Sequence, residues 1–260
     1  MLETKDLCFG YAAKRQYKNF NVRFEQTKLH CILGPNGSGK STFLKAMLGI
    51  VPIFSGDISI NGQTMLHYSR KKTAQHIAYV PQTGKSVPIS VYDTVLLGRM
   101  PYIRGFGGAK DKTLVDEILE KLSITSWKNR LLTELSGGER QKVFLAKALV
   151  QDTQILFFDE PTNNLDIRWQ IELYDLFKTI SEEEKKIVII VEHDLSLAFR
   201  YADCVHILKD GAIITSGIPE KTMKKELLAS VYGIETEYIK NNSYAAIIAT
   251  KTIRADHADI

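Results

Sequence analysis

Eight consecutive residues, Gly34-Pro35-Asn36-Gly37-Ser38-Gly39-Lys40-Ser41, satisfy the pattern G-x-x-x-x-G-K-[ST] at every fixed position. Glycines in such a loop let backbone N–H groups close around a β-phosphate that side chains would obstruct. Lys40 offers a point charge to the β- and γ-phosphates, and the Ser41 hydroxyl offers a ligand to Mg²⁺. An apolar run, residues 29–33, precedes the loop and reads as a strand. Helical spacing follows from Ser41 to Leu48, with Thr42 in its first turn. Strand, glycine loop and helix in that order are the context the pattern needs, so the chain is expected to bind a nucleoside triphosphate with Mg²⁺.

Two further stretches carry related chemistry. ILFFDE, residues 155–160, ends an apolar run in Asp159 and Glu160. Alone, it reads equally well as a strand ending in two solvated acids. Downstream of a phosphate loop, Asp159 is placed to hold Mg²⁺ and Glu160 to take a proton from attacking water. LSGGERQKV, residues 135–143, opens a helical pattern with Ser136, Gly137, Gly138 and Glu139. Small residues at a helix start leave free N–H groups at the positive end of the helix dipole, which makes a second anion site. One chain thus carries two phosphate devices about a hundred residues apart.

The elements that would position these residues are legible as periodicity. Runs without alternation at 29–33, 155–158 and 187–191 suit strands buried on both faces of a parallel sheet. Leu173, Leu176, Phe177 and Ile180, and similarly Val115, Ile118, Leu119 and Leu122, recur at helical spacing. Strands alternating with helices predict an α/β fold. Residues from about 84 to 153 are helical in pattern and poor in strand-like runs, which predicts a helical insertion into the α/β core. Asn61-Gly62 within ISINGQTM signals a hairpin near the N-terminus.

Composition sets the bounds. The chain has 260 residues, 44% apolar and 25% charged, as in ordinary globular proteins. The net charge of +4, from 34 basic and 30 acidic residues, gives no footprint for nucleic acid, and none is expected as a partner. Charged clusters at 70–72, 182–186 and 224–225 read as solvated faces. No apolar run approaches the length of a bilayer span, and the N-terminus lacks the regions of a signal peptide. Cys8, Cys31 and Cys204 are widely spaced and read as reduced, packed residues. Together these signs predict a soluble, cytosolic chain.

GPNGSGKS, LSGGERQ, FFDEPTNNLD and the histidine of VEHDLS, in this order and at these separations, resemble the ATPase subunit of an ABC transporter across nearly the whole chain. The resemblance implies a P-loop NTPase fold with a mostly parallel core sheet, an N-terminal antiparallel β subdomain and a helical subdomain carrying the signature motif. It implies an ATPase domain over residues 1–240 and a short C-terminal extension over 241–260. In that family two subunits bind head to tail, and each ATP lies between the P-loop of one and the signature motif of the other. Ser136, Gly137, Gly138 and the helix start at Glu139 would then serve the partner's nucleotide, which accounts for the two phosphate devices. By the same resemblance Tyr11 stacks on adenine, Gln82 meets Mg²⁺ and the attacking water, Asp166 crosses the dimer interface, and His193 contacts the γ-phosphate and positions the water. His30, His67, His76, His206 and His257 keep an ordinary packing or surface reading.

The sequence departs from the family at Gln26-Thr27-Lys28, where another turn is usual, and at Glu192, where an apolar or hydroxyl residue is more common before the histidine. VLLGRMPY, residues 95–102, with GIPEKTM and VYGIE, resembles the importer branch serving iron–siderophore, haem and vitamin B12 uptake. Molybdate and manganese or zinc importers are the nearest alternatives, with exporters and then a soluble non-transport ABC ATPase beyond them. Arg99 and Pro101 read equally as shaping a loop. The branch implies integral-membrane permease subunits as partners and, indirectly, an extracytoplasmic substrate-binding protein. The chain would then sit on the cytoplasmic face of the inner membrane.

Overall fold

Among the described residues the strand and helix signals resolve into an antiparallel sheet, a larger mostly parallel sheet and a closing two-stranded hairpin, with helices packed against them. The computed structural model describes residues 1–12, 15–82, 87–103, 107–163, 165–240 and 245–253, so His257 and the end of the expected extension lie outside the described residues. The first elements are β1 (Leu2–Ala12), β2 (Arg15–Phe24), β3 (Leu29–Leu33), α1 (Lys40–Met47), β4 (Ile53–Ile60) and β5 (Gln63–Thr64), followed by α2 (Arg70–His76) and β6 (Ile77–Val80). Strands β2, β1, β4 and β5 form an antiparallel sheet in that order. The β4–β5 turn is Asn61-Gly62, with φ of 50° and 79°, the left-handed pair that a tight hairpin requires.

The helical segment follows as α3 (Val91–Leu96), α4 (Ala109–Lys121) and α5 (Gly137–Val150), linked by short 3₁₀ turns. No strand occurs among the described residues of 87–153. After it come β7 (Ile155–Asp159), α6 (Ile167–Glu182), β8 (Ile187–Val191), α7 (Leu195–Tyr201), β9 (Cys204–Lys209) and β10 (Ala212–Gly217). The core sheet runs β10-β9-β3-β8-β7-β6, parallel except for edge strand β10. Every residue of β3, β7 and β8 is buried, which is why these runs show no alternation. One face of the sheet packs with α1 and the antiparallel sheet, around Phe9, Phe20, Phe24 and Phe43. The other face packs on the remaining helices, where Leu173, Phe177 and Ile180 of α6 and Val115 and Leu119 of α4 supply the expected stripes. The charged clusters at 70–72, 182–186 and 224–225 lie at the surface.

Gly98 and Arg99 have a packing role of their own. A Cβ on Gly98 would stand 2.2 Å from Lys147 O, so only glycine lets this turn lie on α5. Arg99 is 8% exposed, donates from NH1 to Val150 O at 2.9 Å and from Nε to Asp111 Oδ1 at 2.9 Å, and lies over the Tyr102 ring. It thereby caps the carboxyl end of α5 with positive charge and ties it to α4.

The chain closes with α8 (Pro219–Thr222), α9 (Lys225–Tyr232), β11 (Ile234–Lys240) and β12 (Ala245–Thr252). β11 and β12 pair along their length, so the boundary expected at 240 falls inside a hairpin. Ile247 is buried in the core beside α7, and Ser196 Oγ donates to its carbonyl. The described part of the expected extension is therefore folded onto the rest of the chain.

Candidate functional site

The loop from Gly34 to Gly39 leaves the carboxyl end of β3 and enters α1. Gly39, at φ 109°, is the N-cap of α1, and a Cβ there would meet the Tyr17 ring at 2.5 Å. Both the backbone angle and the close approach restrict this position to glycine. The free N–H groups of the first turn of α1, including Ser41 and Thr42, face a cavity of about 200 Å³ lined by Tyr11, Asn36, Gly37, Lys40 and Glu160, among others. Lys40 is 5% exposed and its ammonium donates to Gly34 O at 2.7 Å and Pro35 O at 3.2 Å. Burial lowers its pKa, opposed by the charges of Glu160 and Asp159.

Asp159 ends β7 and is 2% exposed. Its carboxylate accepts from Ser41 Oγ at 2.7 Å and from Tyr79 OH at 3.0 Å. A buried carboxylate needs such donors to stay charged. The phenol of Tyr79 is pushed well up by burial and by that negative neighbour. Ser41 and Asp159 thus put two hard oxygen donors side by side at the cavity edge, which suits Mg²⁺.

Glu160 sits in the left-handed region at φ 52°, a strained conformation that aims its carboxylate across the cavity. Three side chains hold it. Gln82 Nε2 donates to Oε2, Asn163 Nδ2 donates to Oε2 at 2.6 Å, and His193 Nε2 lies 2.5 Å from Oε1. Gln82, Glu160 and His193 are therefore brought together with Lys40, Ser41 and Asp159. Gln82 touches Glu160 rather than Asp159. Tyr11 is 63% exposed and lines the cavity.

The signature segment stands apart from this cluster. Ser136 caps α5, accepting from Glu139 N–H at 3.2 Å, while Glu139 Oε2 accepts from Ser136 N–H at 2.7 Å. Glu139 also pairs with Arg130 at 2.9 Å, and the Ser136 N–H holds its carboxyl below the usual range. Its carboxylate is thus turned back onto its own helix start, which leaves the Ser136 hydroxyl hydrogen and the N–H groups at Gly137 and Gly138 for an anion. Ser136 and Gly137 are exposed. None of the residues lining the P-loop cavity comes from 136–139. Asp166 is exposed and caps α6, accepting from Trp169 N–H at 2.9 Å. A cavity of about 620 Å³ lies between α5 and α6 beside Gly138 and Asp166, away from the P-loop.

Sequence reasoning missed Tyr17, Tyr79 and Asn163, which support the cavity floor, Asp159 and Glu160. Asn163 is three residues from Glu160 and was within reach of the motif; Tyr79 and Tyr17 arrive by strand pairing and left no local signal. Glu192, unexplained from sequence, is 3% exposed and accepts from Thr162 Oγ1 at 2.9 Å and from Asp194 N–H at 3.3 Å. It ties the loop after β7 to the loop after β8. Burial raises both the Tyr174 phenol and the Cys31 thiol beside it, and the Glu192 carboxyl adds to each shift.

A strand–loop–helix phosphate cradle beside a buried aspartate and a supported glutamate, all at the carboxyl edge of a parallel sheet, defines a P-loop nucleotide hydrolase. The family model described as "ABC transporter" matches residues 17–163. The chain is 38% identical to an uncharacterized ABC transporter ATP-binding protein of Methanocaldococcus jannaschii, over 93% of this chain and 94% of that protein. It is 33% identical to the iron(3+)-hydroxamate import ATP-binding protein FhuC of Bacillus subtilis, over 92% of this chain and 90% of that one. Its fold superposes with a TM-score of 0.83 on a chain from a metal-chelate type ABC transporter in an inward-facing conformation, 25% identical, covering 96% and 97%. The chain belongs to the ABC transporter ATP-binding family, whose enzymes hydrolyse ATP. Among its described residues no helix is long and apolar enough to cross a membrane.

Burial pushes Glu192 up to about 7 from an ordinary 4.5. Because the folded value lies above the unfolded one, stability from the neutral form is fully present below pH 4.5 and is lost as pH rises through 7. The loss is on the order of 3 kcal/mol. Urea unfolding of Glu192→Gln against wild type should show the variant gaining relative stability with pH and levelling off above neutrality. A difference independent of pH would remove the burial account.

Proposed function

We infer that the chain is the ATP-hydrolysing subunit of an importer for a metal chelate of the iron–siderophore, haem or cobalamin type. Two copies work head to tail on integral-membrane permease subunits, at the cytoplasmic face of the inner membrane, with an extracytoplasmic binding protein delivering the cargo. The observation that carries the dimer is the separation of the two phosphate devices: the P-loop cavity borrows nothing from residues 136–139, and Ser136 and Gly137 are exposed. The similarity to an iron(3+)-hydroxamate import protein and to a metal-chelate type transporter supports the cargo class. Leu97, Met100 and Tyr102, exposed on the helical segment, offer an apolar patch for a permease helix.

Each residue then has a defined task. Tyr11 stacks on adenine. The loop Gly34–Gly39 and the N–H groups of Lys40, Ser41 and Thr42 surround the β-phosphate, and the Lys40 ammonium reaches the γ-phosphate. Ser41, Asp159 and Gln82 would hold Mg²⁺, which would supply positive charge to offset that of the phosphates. Glu160 accepts a proton from the attacking water on a carboxylate oxygen, and His193 and Gln82 orient that water. From the partner copy, Ser136, Gly137 and Gly138 donate hydrogen bonds to the γ-phosphate, with Glu139 fixing their geometry, while Asp166 lies at the seam. Closure is favoured because only the paired state satisfies both sides of each ATP, so nucleotide shifts the equilibrium by differential affinity.

Glu160→Gln should abolish turnover and leave an ATP-bound dimer visible by light scattering; full hydrolysis would remove Glu160 from its role. Ser136→Arg should block dimer closure and turnover while sparing ATP binding by the isolated chain, and an active variant would sink the shared site. For the cargo, the tagged chain purified from its own membranes in mild detergent should bring a polytopic permease. Recovery with soluble partners alone would overturn the transport reading.

A further inference from the structure

Three residues that read as packing in the sequence, His30, Cys204 and His206, meet on one face of the core sheet. His30 and Cys204 are register partners on β3 and β9, and His206 follows Cys204 on the same face. Their ligand atoms all lie within 4.8 Å of one another. Both imidazoles are 1% exposed, and the Phe24 ring stands edge-on to them at 5.2 and 4.8 Å. Cys204 is half-buried and gives the cluster a way out to solvent.

The hydrogen bonds around the rings are arranged unusually. His30 Nε2 lies 3.1 Å from Glu25 O, and His206 Nδ1 lies 2.8 Å from the oxygen of Ser216, its register partner on β10. Each outer nitrogen therefore has an acceptor. The inner nitrogens, His30 Nδ1 and His206 Nε2, face each other at 3.1 Å. Two neutral proton arrangements satisfy this geometry without a ligand. In one, Glu25 N–H donates to His30 Nε2 at 3.0 Å and His30 Nδ1–H donates to His206. In the other, Ser216 Oγ–H donates to His206 Nδ1, His206 Nε2–H donates to His30 Nδ1 and His30 Nε2–H donates to Glu25 O. In a third, both rings carry their proton outside, donating to Glu25 O and Ser216 Oγ, and two inner lone pairs are left facing each other. A cation stabilises this third arrangement, and outer nitrogens bonded to a carbonyl or hydroxyl are how metal-binding imidazoles are oriented.

We propose that His30, His206 and Cys204 are the ligands of a single zinc-type cation bound between β3 and β9, at the opposite edge of the sheet from the P-loop. Two imidazoles and a thiolate suit a borderline cation such as Zn²⁺ and disfavour Mg²⁺ and Ca²⁺, which take oxygen ligands. Tetrahedral bonds of ~2.0–2.1 Å place two nitrogens about 3.3 Å apart, so the nitrogens separate only slightly from 3.1 Å, while both rings, which now meet head-on with centroids 5.4 Å apart, tilt towards the Cys204 side. His30 shifts its proton from Nδ1 to Nε2 without net change. Cys204 loses its thiol proton to solvent, so binding releases one proton per cation. Solvent supplies the fourth ligand from the Cys204 side. The cation would staple β9 to β3 independently of nucleotide.

Titration of the full-length chain with Co²⁺ as a spectroscopic stand-in tests the site. One equivalent should give a thiolate-to-cobalt charge-transfer band with tetrahedral visible bands, displaced by Zn²⁺. Cys204→Ser should abolish the charge-transfer band, and His30→Gln should weaken Zn²⁺ binding by at least about 100-fold, the upper end for losing even an outer partner. Because the buried histidine variants also disturb folding, a second measurement uses the wild-type chain alone. Alkylation of Cys204 by iodoacetamide, mapped by mass spectrometry, should slow at least about tenfold with one equivalent of Zn²⁺ and recover with chelator. Absence of the band, a band that survives Cys204→Ser, or alkylation indifferent to Zn²⁺ would overturn the proposal and leave the trio a hydrogen-bonded packing cluster.

Discussion

The parallel register of β3, β8 and β7 is the constraint on which the rest depends. Ile32, Val191 and Asp159 lie in one row across the three strands, and Val80 of β6 pairs with Phe158 beside it. Backbone bonds extend the row one step further, from Glu192 N–H to Ile32 O and from Glu160 N–H to Val191 O. Everything that leaves the sheet just beyond that row is thereby delivered to one edge: the glycine loop, Glu160, His193 and Gln82. A slip of one residue in any pair would turn a buried apolar side chain into the place of a polar one.

Keeping charge at that edge of a dry core is the second requirement. Asp159 is held by two hydroxyls, Lys40 by two carbonyls, and Glu160 by an imidazole and two amides. Glu192 is handled differently, since burial dominates its few hydrogen bonds and lifts it towards neutrality. Its link to Thr162 ties together the loops after β7 and β8, which carry Glu160 and His193.

Much of this was legible in the sequence because the groups that touch phosphate are bunched in short motifs. The P-loop, the Asp159-Glu160 pair and the capping residue Ser136 each announce themselves within eight residues, and the buried strands announce themselves by unbroken apolar runs. The parts that were not legible all depend on which strand lies beside which. Tyr79 reaches Asp159 across eighty residues, Thr162 reaches Glu192 across thirty, and His30 meets His206 across 176. The closing hairpin escaped notice for another reason. Most of β11 and β12 is exposed, and only Thr236 and Ile247 are buried, so the segment carries little of the apolar signal that marks a packed strand.

Arg99 gives the fold one further property. Its guanidinium fastens the turn at residues 97–103 to the last carbonyls of α5, while the Ser136–Glu139 box closes the other end of the same helix. Fourteen residues at 1.5 Å each make a rod about 21 Å long. With both ends capped, the helix joins the exposed Leu97 and Met100 turn to the Ser136 end as one unbroken element. A tilt of ~10° swings the Ser136 end by ~4 Å, more than the length of a hydrogen bond. Alpha-helical stiffness alone is then enough to turn a small push at one surface into making or breaking a contact at another.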